Sequence, residues 1–404
     1  MPERAAFERR AVRRYCKGRD RDVGGLRYDP VRRECQTGTS VTEPDDSSAL
    51  VQLGYDERVG GLFAPHAASG LTLGRVVRAD RGYVFVSTAS GVVMAENAMT
   101  LVKAAGHDPE PLPAAGDWVA LRDDADLDVP LVEAVLPRSS AIVRRDPGKA
   151  AVGQVLAANI DTVFIVQPIE DEPNVRRLER ELALAWESGA TPVVILNKAD
   201  MSADTDAALE AVEAVAMGVD ILLTSAMTGE GVERLRDYTS GHRTVVLIGP
   251  SGAGKSTLVN FLVGRDVQAT AEVRDFDGKG RHTTVARELI PLADGGVLVD
   301  TPGIRAVAMW DAVDGLAATF PEIEELARQC RFADCAHEGE PGCALAAAVE
   351  DGSLPAERLE SYRKLRAEMR HSAGERDLRI RAERKGKGKA IAKDARRFFR
   401  DRGR

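Results

Sequence analysis

Thr244-Val245-Val246-Leu247-Ile248-Gly249-Pro250-Ser251-Gly252-Ala253-Gly254-Lys255-Ser256-Thr257 decides the reading of this chain. An apolar, mostly β-branched run ends in a glycine-rich turn, and the turn opens into residues 258–263, whose spacing predicts a helix. This is the context of a phosphate-binding loop. Glycines let backbone N–H groups wrap a phosphate, and the helix N-terminus adds positive potential. Lys255 then reaches the β- and γ-phosphates, which also puts it in the catalytic set, and Ser256 ligates Mg²⁺. The loop by itself does not choose between ATP and GTP.

Moving outward, the neighbouring apolar runs end in polar motifs of the same kind. Residues 192–196 lead into Asn197-Lys198-Ala199-Asp200. The Asp200 carboxylate can accept from N1–H and the exocyclic amine of guanine. Adenine offers neither donor there, so it leaves a carboxylate unpaired. Asn197 fixes the base edge and the Lys198 stem covers one base face. Residues 221–223 lead into Thr224-Ser225-Ala226, a short loop whose backbone supports the guanine carbonyl, with Ser225 and Ala226 as contacts. Residues 297–299 lead into Asp300-Thr301-Pro302-Gly303, where Asp300 holds Mg²⁺ through water and Gly303 senses the γ-phosphate. Strands alternating with helices predict a mostly parallel α/β sheet, with ligands at the strand C-termini.

The order is permuted. Asn197 and Ser225 precede Gly249, and Asp300 comes last. Such a permutation leaves the site intact when the old termini were close together. It also sends the segment after Gly303 straight into the C-terminal region, so nucleotide state can set that region's position. Between the phosphate loop and Asp300 lies Lys279-Gly280-Arg281-His282-Thr283-Thr284. A threonine here caps Mg²⁺, and Thr283 and Thr284 both remain open. Ile304 follows Gly303, where an apolar side chain cannot orient water. His282 is therefore a candidate catalytic residue, with a purely structural switch role as the alternative.

The five cysteines cannot all pair with one another. Three fall in Cys330-x4-Cys335-x-His337-x5-Cys343, a Cys₃His set that matches a closed structural Zn²⁺ site. No apolar stretch approaches the ~18 residues of a membrane span, and the basic N-terminus lacks a signal-peptide core. The expectation is a soluble cytoplasmic protein, with monomer as the default. The net charge of −8 is uneven: residues 1–35 carry +5, residues 363–404 carry +11, and the body between them −24. Basic ends around an acidic body point to arms that meet a polyanion, or to solvated termini without a partner.

The 404 residues divide by texture. Residues 1–48 read as a basic extension and linker without fixed structure. Residues 70–145 hold short glycine-separated β-runs that fit a five-stranded OB-fold barrel, a module that often binds nucleic acid. Residues 151–312 form the permuted GTPase domain, 313–365 a mainly helical zinc-binding domain, and 366–404 a basic tail.

Taken together, these residues resemble the RsgA (YjeQ) family of GTPases dependent on the small ribosomal subunit. The resemblance rests on the permuted order, the Gly-Arg-His-Thr-Thr segment, Asp-Thr-Pro-Gly followed by an apolar residue, and the Cys/His spacing. It covers about residues 70–370, and Val285 stands where the family often has a third threonine. It implies an N-terminal OB barrel, a permuted P-loop domain and a C-terminal zinc domain. It further implies binding of GTP and GDP, docking on the small subunit and its rRNA in late maturation, and hydrolysis stimulated there. Two rivals stand beside it. Asp200 argues against a metabolic P-loop kinase or ATPase, and intact Lys255 and Ser256 argue against a zinc-containing nucleic-acid regulator with vestigial nucleotide binding.

Overall fold

Strand β1 (Thr72–Ala79) pairs on one side with β2 (Tyr83–Thr88) and on the other with β4 (Trp118–Arg122). The path through β3 (Gly91–Asn97) and β5 (Leu131–Val135) therefore closes on itself as a barrel. Alternate residues fill the interior: Val76, Val84, Val86, Ala95, Val119, Leu121 and Val132 are buried together. The computed structural model describes residues 49–370 apart from 81, 107–109, 125–126, 146–152, 171, 265–286, 293–294 and 301–312.

The barrel ends at Val135, short of the expected boundary at 145. Strand β6 (Ala141–Arg145) instead pairs antiparallel with β7 (Gly153–Ala158), and Ile142 and Leu156 are buried in the core of the following domain. Two helices precede the barrel, α1 (Ala49–Gln52) and α2 (Glu57–Ala67), the second capped by Asp56, which accepts from Val59 N at 2.8 Å. They pack Leu50 and Val59 against Trp118 and Leu136. Helix α3 (Met99–Ala105) follows β3.

The central domain is an α/β sheet in the order β10 (Asp220–Leu223), β9 (Thr191–Asn197), β8 (Thr162–Pro168), β11 (Thr244–Ile248), β13 (Val297–Asp300), β12 (Arg287–Pro291). All neighbours are parallel except β12, which runs antiparallel to β13. Strand alternation sorts the apolar residues onto two faces. Val163 and Ile165 of β8 face Leu178 and Leu182 of α4 (Val175–Glu187) and Val212 of α5 (Thr205–Glu213). Phe164 and Val166 face Leu258 and Leu262 of α6 (Lys255–Val263) on the other side.

Beyond it lie α7 (Val313–Thr319), α8 (Pro321–Ala327, with proline in its first turn), α9 (Ala344–Glu350) and α10 (residues 356–370). They enclose Phe320, Ile323, Leu345, Leu359 and Tyr362, and Ala183 of α4 joins that core.

Strand β1 also pairs antiparallel with β12, so the barrel and the central sheet form one continuous ladder. At this joint the fully buried Arg75 donates to Gly116 O at 3.2 Å, Asn159 O at 3.2 Å and Thr244 Oγ1 at 2.9 Å, and also to Leu53 O. Burial pulls its pKa down to about 10, against the opposing pull of Asp161 and Asp117.

Candidate functional site

The C-terminal ends of β9, β10 and β11 bring three loops together, and Asn197 is the pin. It is the last residue of β9 and 1 % exposed. Its Nδ2 donates to Ala253 O in the phosphate loop at 2.8 Å. Its Oδ1 accepts from Thr224 Oγ1 at 3.1 Å and Ala226 N at 3.0 Å. One buried carboxamide thus fixes the loop after β10 to the loop after β11. Lys198 follows in the left-handed conformation (φ 69°), which turns the chain into the short helix Ala199–Met201. Its Nζ pairs with Glu170 Oε2 at 2.6 Å.

Asp200 Oδ1 accepts from Ser225 Oγ at 2.6 Å. The same Ser225 Oγ accepts from Thr228 N at 3.1 Å. One carboxylate oxygen of Asp200 is oriented by this bond, in the position the sequence assigns to base recognition. The phosphate loop itself has a strict backbone requirement at two glycines. A Cβ on Gly249 (φ +136°) would lie 2.2 Å from Val166 O, and one on Gly254 (φ +91°) would lie 2.2 Å from Asn197 Nδ2. Pro250, Ser251 and Gly252 complete the turn. Lys255 opens α6, and its Nζ donates to Gly249 O at 2.9 Å and Pro250 O at 2.5 Å. Ser256 and Thr257 follow, half-buried in the first turn of the helix.

Asp300 is the last residue of β13, in register with Glu288. His282, Thr283, Thr284 and Gly303 lie outside the described residues. Sequence reading missed Glu170 as the partner of Lys198, since an isolated loop glutamate carries no signal. Thr224 carries no sequence signal beyond its place in the loop, yet its hydroxyl takes part in the Asn197 network.

The second cluster sits between α8 and α9. The ligand atoms of Cys330, Cys335, His337 and Cys343 all lie within 4.8 Å of one another. His337 Nδ1 is 3.6 Å from Cys330 Sγ and 3.8 Å from Cys343 Sγ. Tetrahedral coordination at ordinary Zn–S and Zn–N lengths puts such edges at about 3.6–3.8 Å, so the residues can hold a metal ion. Burial holds the His337 imidazole below its ordinary pKa, which favours the neutral ring that a metal takes. Arg363 donates to His337 O and Ala344 N to Cys330 Sγ, so α9 and α10 brace the ligands.

A pinned Asn-Lys-x-Asp loop and a supporting Thr-Ser-Ala loop that both precede the phosphate loop in the chain define a circularly permuted P-loop GTPase. A family model described as RsgA GTPase matches residues 135–310. The small ribosomal subunit biogenesis GTPase RsgA of Streptomyces coelicolor is 48% identical over 348 residues, covering 85% of this chain and 93% of its own length. Its namesake in Streptomyces avermitilis is 47% identical over 340 residues, 83% of this chain and 90% of its own. Among solved structures, that of YjeQ from Thermotoga maritima superposes with a TM-score of 0.54 at 26% identity, covering 73% of this chain and 97% of that one. The chain belongs to the RsgA GTPase family. Among the described residues no helix is long and apolar enough to cross a membrane.

Proposed function

We propose that this protein hydrolyses GTP to GDP and phosphate in the maturation of the small ribosomal subunit, and that docking on the subunit stimulates the reaction. The observation that carries the reading is the Asn197 carboxamide, bonded at once to the phosphate loop and to the loop behind the base. Such a tie couples base recognition to phosphate placement before any nucleotide arrives, which is electrostatic and geometric preorganisation.

In this reading Asp200 accepts from the guanine edge, Ala226 and Ser225 back it, and the Lys198 stem lies over the base. The backbone of residues 249–257 wraps the phosphates, with Gly252, Ala253, Gly254 and Thr257 lining the turn, and Lys255 moves from its loop carbonyls to the β- and γ-phosphates. Ser256, one of Thr283 or Thr284, and Asp300 are hard oxygen donors of the kind Mg²⁺ takes. When bound, that ion neutralises charge developing between the β- and γ-phosphates. His282 positions the attacking water, and Gly303 senses the γ-phosphate. Cys330, Cys335, His337 and Cys343 hold one structural Zn²⁺, whose four protein ligands leave no position for chemistry.

The protein acts as a cytoplasmic monomer in this proposal. Its barrel, zinc domain and basic ends meet rRNA, an association that weakens steeply with salt. The test is steady-state hydrolysis with and without purified small subunits, with ATP and large subunits as controls. A stimulation specific to GTP and the small subunit is expected. Equal turnover of ATP, or GTP turnover indifferent to the small subunit, overturns the proposal.

A further inference from the structure

The lysine of the Asn-Lys-x-Asp loop is held by a residue that belongs to none of the nucleotide motifs. The β8–β9 register ends with Pro168 opposite Asn197, and the ladder runs one bond further, Ile169 N donating to Asn197 O at 3.0 Å. The chain after β8 therefore passes alongside the Asn-Lys-x-Asp loop. Ile169 is buried, and Glu170, the next residue, reaches the rim. Its Oε2 lies 2.6 Å from Lys198 Nζ, with the glutamate side chain 37 % and the lysine side chain 24 % exposed. The backbone of Lys198 is set separately, by its left-handed turn (φ 69°) and by its carbonyl, which accepts from Met201 N at 2.9 Å. The ion pair thus fixes what the turn leaves open, the course of a long side chain with several free torsions.

We propose that Glu170 is a positioning residue of the nucleotide site: by tying down the Lys198 ammonium it lays the lysine stem in place, as the shelf for one face of the guanine base, before nucleotide arrives. The inference rests on the GTP-site reading above.

The physical argument is preorganisation. A lysine side chain that is loose in the empty protein must be ordered when a base settles on it, and that lost rotamer freedom weakens binding. Glu170 shifts the loss to folding. It does so with the ammonium at the rim, where the charge stays partly hydrated and the methylene stem is free to cover apolar surface. The pair is partly exposed, so its effect is several-fold and not orders of magnitude. The shelf touches the face of the base and not its edge. Losing it therefore weakens guanine and hypoxanthine nucleotides alike, whereas edge recognition by Asp200 separates them.

The experiment is calorimetric titration of the full chain with Mg²⁺–GDP and with Mg²⁺–inosine diphosphate. The proteins are wild type, Glu170→Gln, Lys198→Met and the double variant; methionine keeps an unbranched apolar stem and removes the ammonium. Glu170→Gln is expected to weaken both nucleotides by about fivefold. In the Lys198→Met background the same change is expected to cost nothing further, since the partner is already gone. In GTP hydrolysis Glu170→Gln should raise KM and leave kcat unchanged, as a loss of uniform binding does. Affinity equal to or tighter than wild type, a loss that persists in the Lys198→Met background, or a loss that differs between the two nucleotides overturns the inference while leaving the GTP site standing. Absence of GDP binding by wild type overturns the site reading and this inference with it. Should Glu170→Gln not fold, Glu170→Ala carries the same expectations.

Discussion

The central domain is joined to its two neighbours in different ways. Towards the barrel the joint is a backbone ladder, β1 on β12, sealed by the fully buried Arg75. Towards the C-terminal helices it is a packing of helices on α4, where a Cβ on Gly315 of α7 would lie 2.1 Å from Ala183 O and Gly315 N donates to Glu187 Oε2 at 3.1 Å. There Arg358 bonds Glu179 at 2.7 Å, Glu322 at 2.7 Å and Thr319 O at 2.7 Å, while Arg176–Glu360 and Arg180–Glu368 are exposed pairs. A ladder with a satisfied buried cation has no low-cost way to slide. The joint on α4 also holds a buried cation, Arg358 on Glu179, but its outer ion pairs are exposed and worth little. Main-chain pairing joins the barrel to the central sheet, whereas packed helices and ion pairs join the C-terminal domain to it, and we propose that nucleotide state acts on the second joint. The permuted order agrees, because the chain after Asp300 leads into that domain.

The two joints should respond differently to four perturbations. Chelating the metal is expected to unfold residues 320–350 and leave the barrel and central sheet protected, since structural metal sites contribute on the order of 10 kcal/mol to folding. Hydrogen exchange checks this, and loss of protection in β1 and β12 would contradict it. Arg75→Ala leaves several buried acceptors unmatched and a cavity behind, a cost of about 5 kcal/mol. Denaturant unfolding should then show barrel and central domain separating into two transitions instead of one.

Arg358→Ala strands Glu179 in a buried site and costs about 3–4 kcal/mol. Its effect should fall on the C-terminal domain, with GDP affinity little changed. Glu181→Gln has the smallest effect and a definite pH signature. Burial lifts the folded-state pKa to about 7, above the ordinary 4.5. The contribution of this one group to stability is therefore fully present below pH 4.5 and is lost as pH rises through about 7. Thermal melts should show Glu181→Gln gaining on wild type by about 2–3 kcal/mol between pH 5 and pH 8. A constant difference would contradict the assignment.

Sequence patterns reveal some of this and hide the rest for physical reasons. The strands ending at Asn197, Leu223, Ile248 and Asp300 are legible because each is a short apolar run stopped by a motif whose residues serve a ligand. Strands β7 and β12 are not. Gly-Gln-Val-Leu-Ala-Ala is too poor in β-branched residues, and Arg-Glu-Leu-Ile-Pro is short and charged, so both depend on their partners. Helix α2 is hidden by Gly60, Gly61 and an internal Pro65, and packing against Trp118 overrides those propensities. Arg75, Arg358 and Glu179 could not be told from surface charges, because burial is a property of the fold and not of the residue type.

If Asp200 makes this a guanine site, nucleotide affinity must show it. The measurement is binding of the GTP, ATP and xanthosine triphosphate complexes of Mg²⁺ to wild type and Asp200→Asn. Wild type is expected to prefer GTP over ATP by roughly a thousandfold or more. Asp200→Asn should lose GTP by about a hundredfold and gain xanthosine triphosphate, whose 2-oxo group accepts from the new amide. ATP binding on a par with GTP, or an Asp200→Asn variant with unchanged preference, would contradict the account.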